Sequence, residues 1–319
     1  MEKCSIIIAS YNEGRNLEKC LSSIQTIDYP KESFEVIVID NNSTDDTAET
    51  VQKFPEVIYL QEEKQGASFA RNKGIRHAKG DILVFLDADT SAAKPWLRSI
   101  TEAFQDKRIG IVGGAIYPFN EHNIFSRYLA SSLFLRYPRY RKKKEIKGYP
   151  SCNLAIRKQL IAGGFDAAAF TTYGEDKDIC YEILKKGYKI IFEPKAIVYH
   201  RHAESLSELL TLFVKSSQGR ADFSKKYPYA PDIILLNLHV PLIYIILLVV
   251  LSIWLGIKGF LIAALPLLIY LAYSSILSFV ETKDFLVSFF IKPLLDAAAV
   301  CVIYGSYHWY RLTKRSKDQ

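Results

Sequence analysis

Short apolar runs recur along residues 4–200, most closed by a polar cluster and several followed by apolar residues at helical spacing. Cys4 to Ala9 is the first and predicts a strand; Leu17, Cys20, Leu21 and Ile24 then share one face of a helix. Phe34 to Ile39 predicts a second strand and Val57 to Leu60 a third. A helix opens across residues 66–74 and ends near Gly80. Ile82-Leu83-Val84-Phe85-Leu86 is an unbroken apolar run of the kind buried on both faces of a sheet. Strands and helices alternating at this spacing predict an α/β fold with a doubly wound, mostly parallel sheet. Pro95 to Phe104 predicts a helix. Gly110 to Tyr117 predicts a strand in which Gly113 and Gly114 admit a ligand or another backbone at close range. Lys189 to Phe192 and Ala196 to Tyr199 predict two short strands around Glu193-Pro194, and Leu206 to Val214 an amphipathic helix.

Beyond residue 230 the pattern changes. Ile233 to Leu255 and Gly259 to Val280 carry no charged residue, and each is long enough to span a bilayer. Residues 256–259 are the expected turn of a hairpin between them. A third apolar segment, 284–310, contains Lys292 and Asp296, four apart and placed to pair on one helix face. It is either a third span or an interfacial helix with Trp309 and Tyr310 at the boundary. Two spans keep Arg311, Lys314, Arg315 and Lys317 on the side of the N-terminal domain, as the positive-inside rule favours, so two are expected.

Composition sharpens this picture. The 319 residues are 49% hydrophobic, unevenly placed, with a net charge of +7, which suits nucleic acid, anionic lipid or phosphorylated ligands. Arg136, Arg139, Arg141, Lys142, Lys143, Lys144 and Lys147 interleave with Tyr137, Tyr140 and Tyr149. Beside an apolar tail, such a run points to lipid headgroups over nucleic acid, or is simply a solvated loop. Cys4, Cys20, Cys152, Cys180 and Cys301 are scattered, with no Cys-x-x-Cys pair, which argues against a disulfide framework or a zinc site and suits a reducing compartment. The first strand pattern starts at Cys4, so no leader peptide is expected. Neither a Gly-x-Gly-x-x-Gly after the first strand nor a Walker lysine motif is present.

The candidate chemistry is carboxylate chemistry. The fourth strand ends in Asp87-Ala88-Asp89, where open α/β sheets bind ligands, and alternation turns both carboxylates the same way. Such a pair suits a hard divalent cation, although Asp89 could equally cap the helix after Pro95. Asp40 closes the second strand, either facing a ligand or capping the next helix. Glu175, Asp176 and Asp178 open a predicted helix that runs through Leu184; they are acid–base groups or first-turn acids matched to the helix dipole.

Residues 5–13 (SIIIASYNE), 38–47 (VIDNNSTDDT), 70–74 (ARNKG) and 86–89 (LDAD), in this order and spacing, resemble family 2 glycosyltransferases of the GT-A fold across residues 3–202. Ala9 stands where that family often has proline. The resemblance implies a nucleotide-sugar donor (UDP-, GDP- or dTDP-linked) with Tyr11, Glu13 and Asp40 at the base and ribose. It puts Arg71 on the nucleotide side and Asp87 near the donor ribose or sugar. It further implies Mn²⁺ or Mg²⁺ on Asp89, with His200 completing the metal shell in preference to His202, and Asp176 as the base beside Glu175. The expected domains are 1–203 catalytic, 204–232 an amphipathic connector and 233–319 a membrane region. The expected enzyme is therefore an inverting, metal-dependent glycosyltransferase in the cell membrane, multi-pass, with its catalytic domain in the cytoplasm. It would add one sugar to a lipid-linked saccharide, because the Gln-x-x-Arg-Trp motif of processive relatives is absent, and it would have no nucleic-acid partner. A polyprenyl-phosphate sugar synthase and a non-catalytic, membrane-tethered sugar-nucleotide binder remain as alternatives.

Overall fold

The computed structural model describes residues 2–131, 140–170, 172–230, 240–282 and 284–315. The chain forms two compact units, one of Met1–Glu121 with Tyr137–His202 and one of His122–Arg136 with Ala203–Gln319.

The first unit is built on a nine-stranded sheet. Strands β1 (Cys4–Ser10), β2 (Phe34–Asp40), β3 (Ile58–Gln61) and β4 (Ile82–Asp87) pair in parallel in the order β3-β2-β1-β4. The crossovers hold helices α1 (Gly14–Gln25), α2 (Thr47–Gln52) and α3 (Ala67–His77). The central apolar runs, Ile6 to Ile8, Val36 to Ile39 and Ile82 to Leu86, are buried throughout.

Past β4 the expectation of a mostly parallel sheet is corrected. The remaining strands are β5 (Thr90–Ala92), β6 (Ile109–Pro118), β7 (Lys144–Ile146), β8 (Asn153–Arg157) and β9 (Lys189–His200). β8 lies antiparallel between β4 and β6; β9 is parallel to β6 and takes β5 and β7 antiparallel. β1 to β4 are joined in succession by helical crossovers, as parallel neighbours require, whereas β5, β7 and β8 enter the sheet antiparallel. The two short strands expected around Pro194 are one strand; a register shift against β6 between Gly114 and Ile116 absorbs the irregularity. Gly113 and Gly114 admit protein: a side chain at 113 would strike the Tyr149 ring, and one at 114 the Ala196 carbonyl. Buried Asn153 ties these elements together. Its Nδ2 donates to the carbonyls of Ala115 (3.1 Å) and Ala196 (3.0 Å), and its Oδ1 accepts from Trp96 Nε1 (2.9 Å) on α4 (Trp96–Ala103).

The second unit is helical: α5 (Ile124–Ser131), α7 (Leu206–Lys226), α8 (Val240–Thr282), a π-helical turn at Val287–Ile291 and α9 (Lys292–Arg315), with α6 (Glu175–Lys185) belonging to the first unit. Ser205 caps α7 by accepting from the Glu208 amide. Gly256, the first residue of the expected turn at 256–259, leaves helical geometry at φ +57° and puts a kink between two helical segments. Among the described residues one helix, Val287–Arg311, is long and apolar enough to cross a membrane. It is the segment left open between span and interfacial helix on pattern alone. Lys292 and Asp296 do pair within it, and Tyr128 Oη donates to Asp296 Oδ1 (2.9 Å). The start of the expected first span, residues 231–239, and Arg136, Tyr137 and Arg139 of the basic run lie outside the described residues.

Candidate active site

The register of β1 with its neighbours sets the framework: Ser10 is paired with Asp40, and Ala9 with Asp87. Three strand ends therefore open at the same edge. The loops after β1 and β2 are stitched together there. Asn12 Oδ1 accepts from the Thr44 amide (2.8 Å), the Asn12 amide donates to Ser43 Oγ (3.0 Å), and the Gly14 amide donates to Asp45 Oδ2 (3.1 Å). Asn12 and Asn42 hold left-handed backbone, φ +54° and +65°, which asparagine tolerates better than most residues. Tyr11 is 51% exposed at this rim, and Glu13 is partly buried with Asn16 Nδ2 on its carboxylate (2.6 Å). Burial raises the Glu13 pKa, and the Asp89 charge adds to the effect. Asp40 is buried and doubly engaged: Oδ2 accepts from Tyr59 Oη (2.7 Å) and Oδ1 from the Ser43 amide (2.9 Å). The second contact is a turn interaction, and α2 begins only at Thr47, behind Asp46.

At the end of β4 the chain turns through Ala88-Asp89 and forms β5 at once. That strand excludes Asp89 from capping α4, whose N-cap position is Pro95. Thr90 pairs with His200 across β5 and β9, and the Arg201 amide donates to the Asp89 carbonyl (3.1 Å). His200 Nε2 thereby reaches both acids, 3.4 Å from Asp89 Oδ1 and 3.7 Å from Asp87 Oδ2. His202 is used otherwise. Its backbone is clamped by Asn120, which donates to the His202 carbonyl (2.9 Å) and accepts from its amide (3.1 Å).

Arg71, buried on α3, bridges the two halves of the site. Nη2 meets Asp87 Oδ1 at 3.0 Å and Nη1 meets Glu175 Oε1 at 2.7 Å. Glu175 is thus committed to an ion pair; Asp176 is partly buried beside it, and Asp178, the third acid of the first turn of α6, is buried. Gly174 sets the entry to that helix at φ +105°, open to glycine. Asp176 Oδ1 accepts from the Lys177 amide (2.7 Å).

The electrostatics follow. Burial opposes charge on Asp87, but nearby His200 and Arg71 outweigh it and hold its carboxyl below the usual range. Burial lifts Asp89, with His200 opposing. Burial would lower His200, but Asp89 and Asp87 carry it up to about 9. Asp176 is pushed up to about 7 by burial and then by the Glu175 charge. The structure therefore gathers Asp87, Asp89, His200, Arg71, Glu175 and Asp176, with Tyr11, Glu13 and Asp40 on the loops at the same sheet edge. Pattern reasoning missed Tyr59 behind Asp40 and Cys152 beside Asp87. Both come from strand neighbours, which periodicity does not reveal.

A mixed sheet whose strand ends present an Asp-x-Asp, a histidine and a second carboxylate helix defines a glycosyltransferase with a GT-A-like fold. The chain belongs to the family described as Glycosyl transferase family 2, whose profile matches residues 5–165. It is 30% identical over 227 residues to Glycosyltransferase AglE of Haloferax volcanii, covering 68% of this chain and 72% of that one. Over 230 residues it is 24% identical to a dolichyl N-acetyl-alpha-D-glucosaminyl phosphate 3-beta-D-2,3-diacetamido-2,3-dideoxy-beta-D-glucuronosyltransferase of Methanococcus voltae, covering 66% and 70%. Among solved structures, the mannosyltransferase PcManGT of Pyrobaculum calidifontis, in complex with GDP-Man and Mn²⁺, superposes with a TM-score of 0.62 at 21% identity, covering 98% of this chain and 87% of that one.

Proposed function

We propose that this enzyme transfers one sugar, with inversion, from a nucleotide sugar to a hydroxyl of a lipid-linked saccharide. The observation that carries the reading is Asp176: a carboxyl with its pKa lifted to about 7, on an element separate from the Asp87–Asp89–His200 cluster. Inversion needs a base on the face of the sugar opposite the leaving nucleotide, and a base near neutrality suits an alcohol acceptor. Asp176 takes the acceptor proton on its carboxylate; Glu175 sustains its basicity. Tyr11, Glu13 and Asp40 hold the base and ribose, with Tyr59 orienting Asp40. Arg71 serves the donor through Asp87, whose carboxylate it fixes.

Two carboxylates are a donor set that fits Mn²⁺ or Mg²⁺, and the imidazole beside them can join once it gives up its proton. Asp89 and His200 would hold the ion, which supplies Lewis-acid stabilisation of the departing diphosphate. The Mn²⁺ in the PcManGT complex supports this assignment. Asp89→Ala is expected to abolish the Mn²⁺ dependence of donor affinity; unchanged Mn²⁺-dependent binding by calorimetry would remove Asp89 from the metal.

The acceptor reading draws on the dolichyl-linked substrate in the name of the Methanococcus voltae relative and on the apolar C-terminal region. We assign residues 1–203 to catalysis, 204–232 to a connector and 233–319 to the membrane, with more than one crossing and the catalytic domain cytoplasmic. A polyprenyl carrier lies in that membrane, where basic residues each contribute about 1 kcal/mol toward anionic headgroups. With radiolabelled donor and native membranes, extracted lipids treated with mild acid should release oligosaccharides one residue longer than the starting glycan. Label confined to a lipid monophosphate monosaccharide, to protein or to long polymer refutes the acceptor.

A further inference from the structure

The proposed transfer makes no use of the buried thiol of Cys152, yet that thiol stands at the carboxylate–imidazole cluster. Ligand atoms of Asp87, Cys152 and His200 all lie within 4.8 Å of one another. The placement follows from strand register. β8 runs antiparallel to β4 with Asn153 opposite Leu86, so the next step of the ladder sets Cys152 across from Asp87. Asn153, fixed by Trp96, Ala115 and Ala196, holds the adjoining backbone in place. Cys152 itself is 4% exposed, behind the more accessible acids.

We propose that Asp87, Cys152 and His200 form a site for a thiophilic divalent cation of the Zn²⁺ or Cd²⁺ class. A sulfur, an imidazole nitrogen and a carboxylate oxygen are a three-ligand set of the kind that binds zinc with a fourth position open to water. Mg²⁺ has no use for the sulfur, and Mn²⁺ prefers the oxygen donors of Asp87 and Asp89, so the thiol discriminates among ions that share the cleft. Binding replaces the S–H bond with a sulfur–metal bond and an imidazolium N–H bond with a nitrogen–metal bond, and both protons pass to solvent. It also draws His200 from Asp89 and engages Asp87. A thiophilic ion is therefore an antagonist of donor binding supported by Mn²⁺. The inference shares His200 with the donor-metal reading and does not require it.

The test titrates Cd²⁺ into the purified full chain carrying Cys301→Ser, which removes the exposed thiol. A thiolate-to-cadmium charge-transfer band should grow to saturation at a single site and vanish in Cys152→Ser. His200→Ala, which retains Cys152, should weaken Cd²⁺ affinity by more than about tenfold and covers the case in which the serine variant does not fold. No band, a band that survives loss of Cys152, or full affinity without His200 overturns the site. Donor affinity with and without Mn²⁺ is measured on the same preparation. Mn²⁺-dependent donor binding without the band rejects this inference alone. Donor binding indifferent to Mn²⁺ rejects the donor-metal reading alone.

Discussion

Asp176→Asn is expected to lower turnover by about two to four orders of magnitude while leaving donor affinity nearly intact, the usual worth of a positioned general base. The asparagine keeps the size of the side chain and cannot take a proton from the acceptor. In the parent enzyme, turnover should rise with pH until Asp176 is ionised, with the break near its pKa of about 7. Glu175→Gln removes a negative neighbour, so the break should move to lower pH. Stability runs in the opposite direction to activity. The folded pKa lies above the ordinary value of 3.8, so folding takes up a proton between about 4 and 7. The resulting stabilisation is fully present below that window and is lost as pH rises through about 7. Asp176→Asn should therefore gain melting temperature relative to the parent at pH 8 compared with pH 5. Near-normal turnover in the variant, measured by donor consumption with acceptor present, would reduce Asp176 to a helix-dipole acid.

Arg71→Ala is expected to destabilise the protein by about 3–5 kcal/mol, because it leaves the buried carboxylate of Glu175 without its cation. Asp87 and Glu175 lose their shared cation together. The diagnostic variant is Arg71→Ala with Glu175→Gln. Neutralising the orphaned carboxylate should recover part of the loss, so that the double change costs less than the two single changes added. Thermal or denaturant midpoints of the four proteins form the cycle. Strict additivity would mean that Arg71 and Glu175 do not act on each other.

The parts of this molecule legible in the sequence are those written by local pattern. The strands β1 to β4 announce themselves as apolar runs, and Asp87, Asp89, Asp176 and His200 each sit at the end of a predicted element. What pattern could not supply is who pairs with whom. β5 is three residues long, too short for periodicity to register, and both β5 and β8 pair antiparallel with their neighbours. Their absence from the sequence reading hid the mixed sheet, the approach of Cys152 to Asp87, and the pairing that sets His200 beside Asp87 and Asp89. Spacing alone leaves Glu175 and Asp176 alike, and only the resemblance singles out Asp176 as the base. The position of Arg71 on α3 separates them, one ion-paired and one held near neutrality. In the tail, the glycine at the start of the expected 256–259 turn is where α8 leaves helical geometry.

The pairing of Thr90 with His200 also sets an order of assembly. β1 to β4, with the carboxylates of Asp40 and Asp87, come from one contiguous N-terminal stretch and can form as soon as it leaves the ribosome. The imidazole arrives only with the last strand of the sheet, far later in synthesis. A nascent chain thus carries the acids without the histidine. The acids and the imidazole are brought together only when β9 pairs with β5, a non-local contact of the kind that is slow to form.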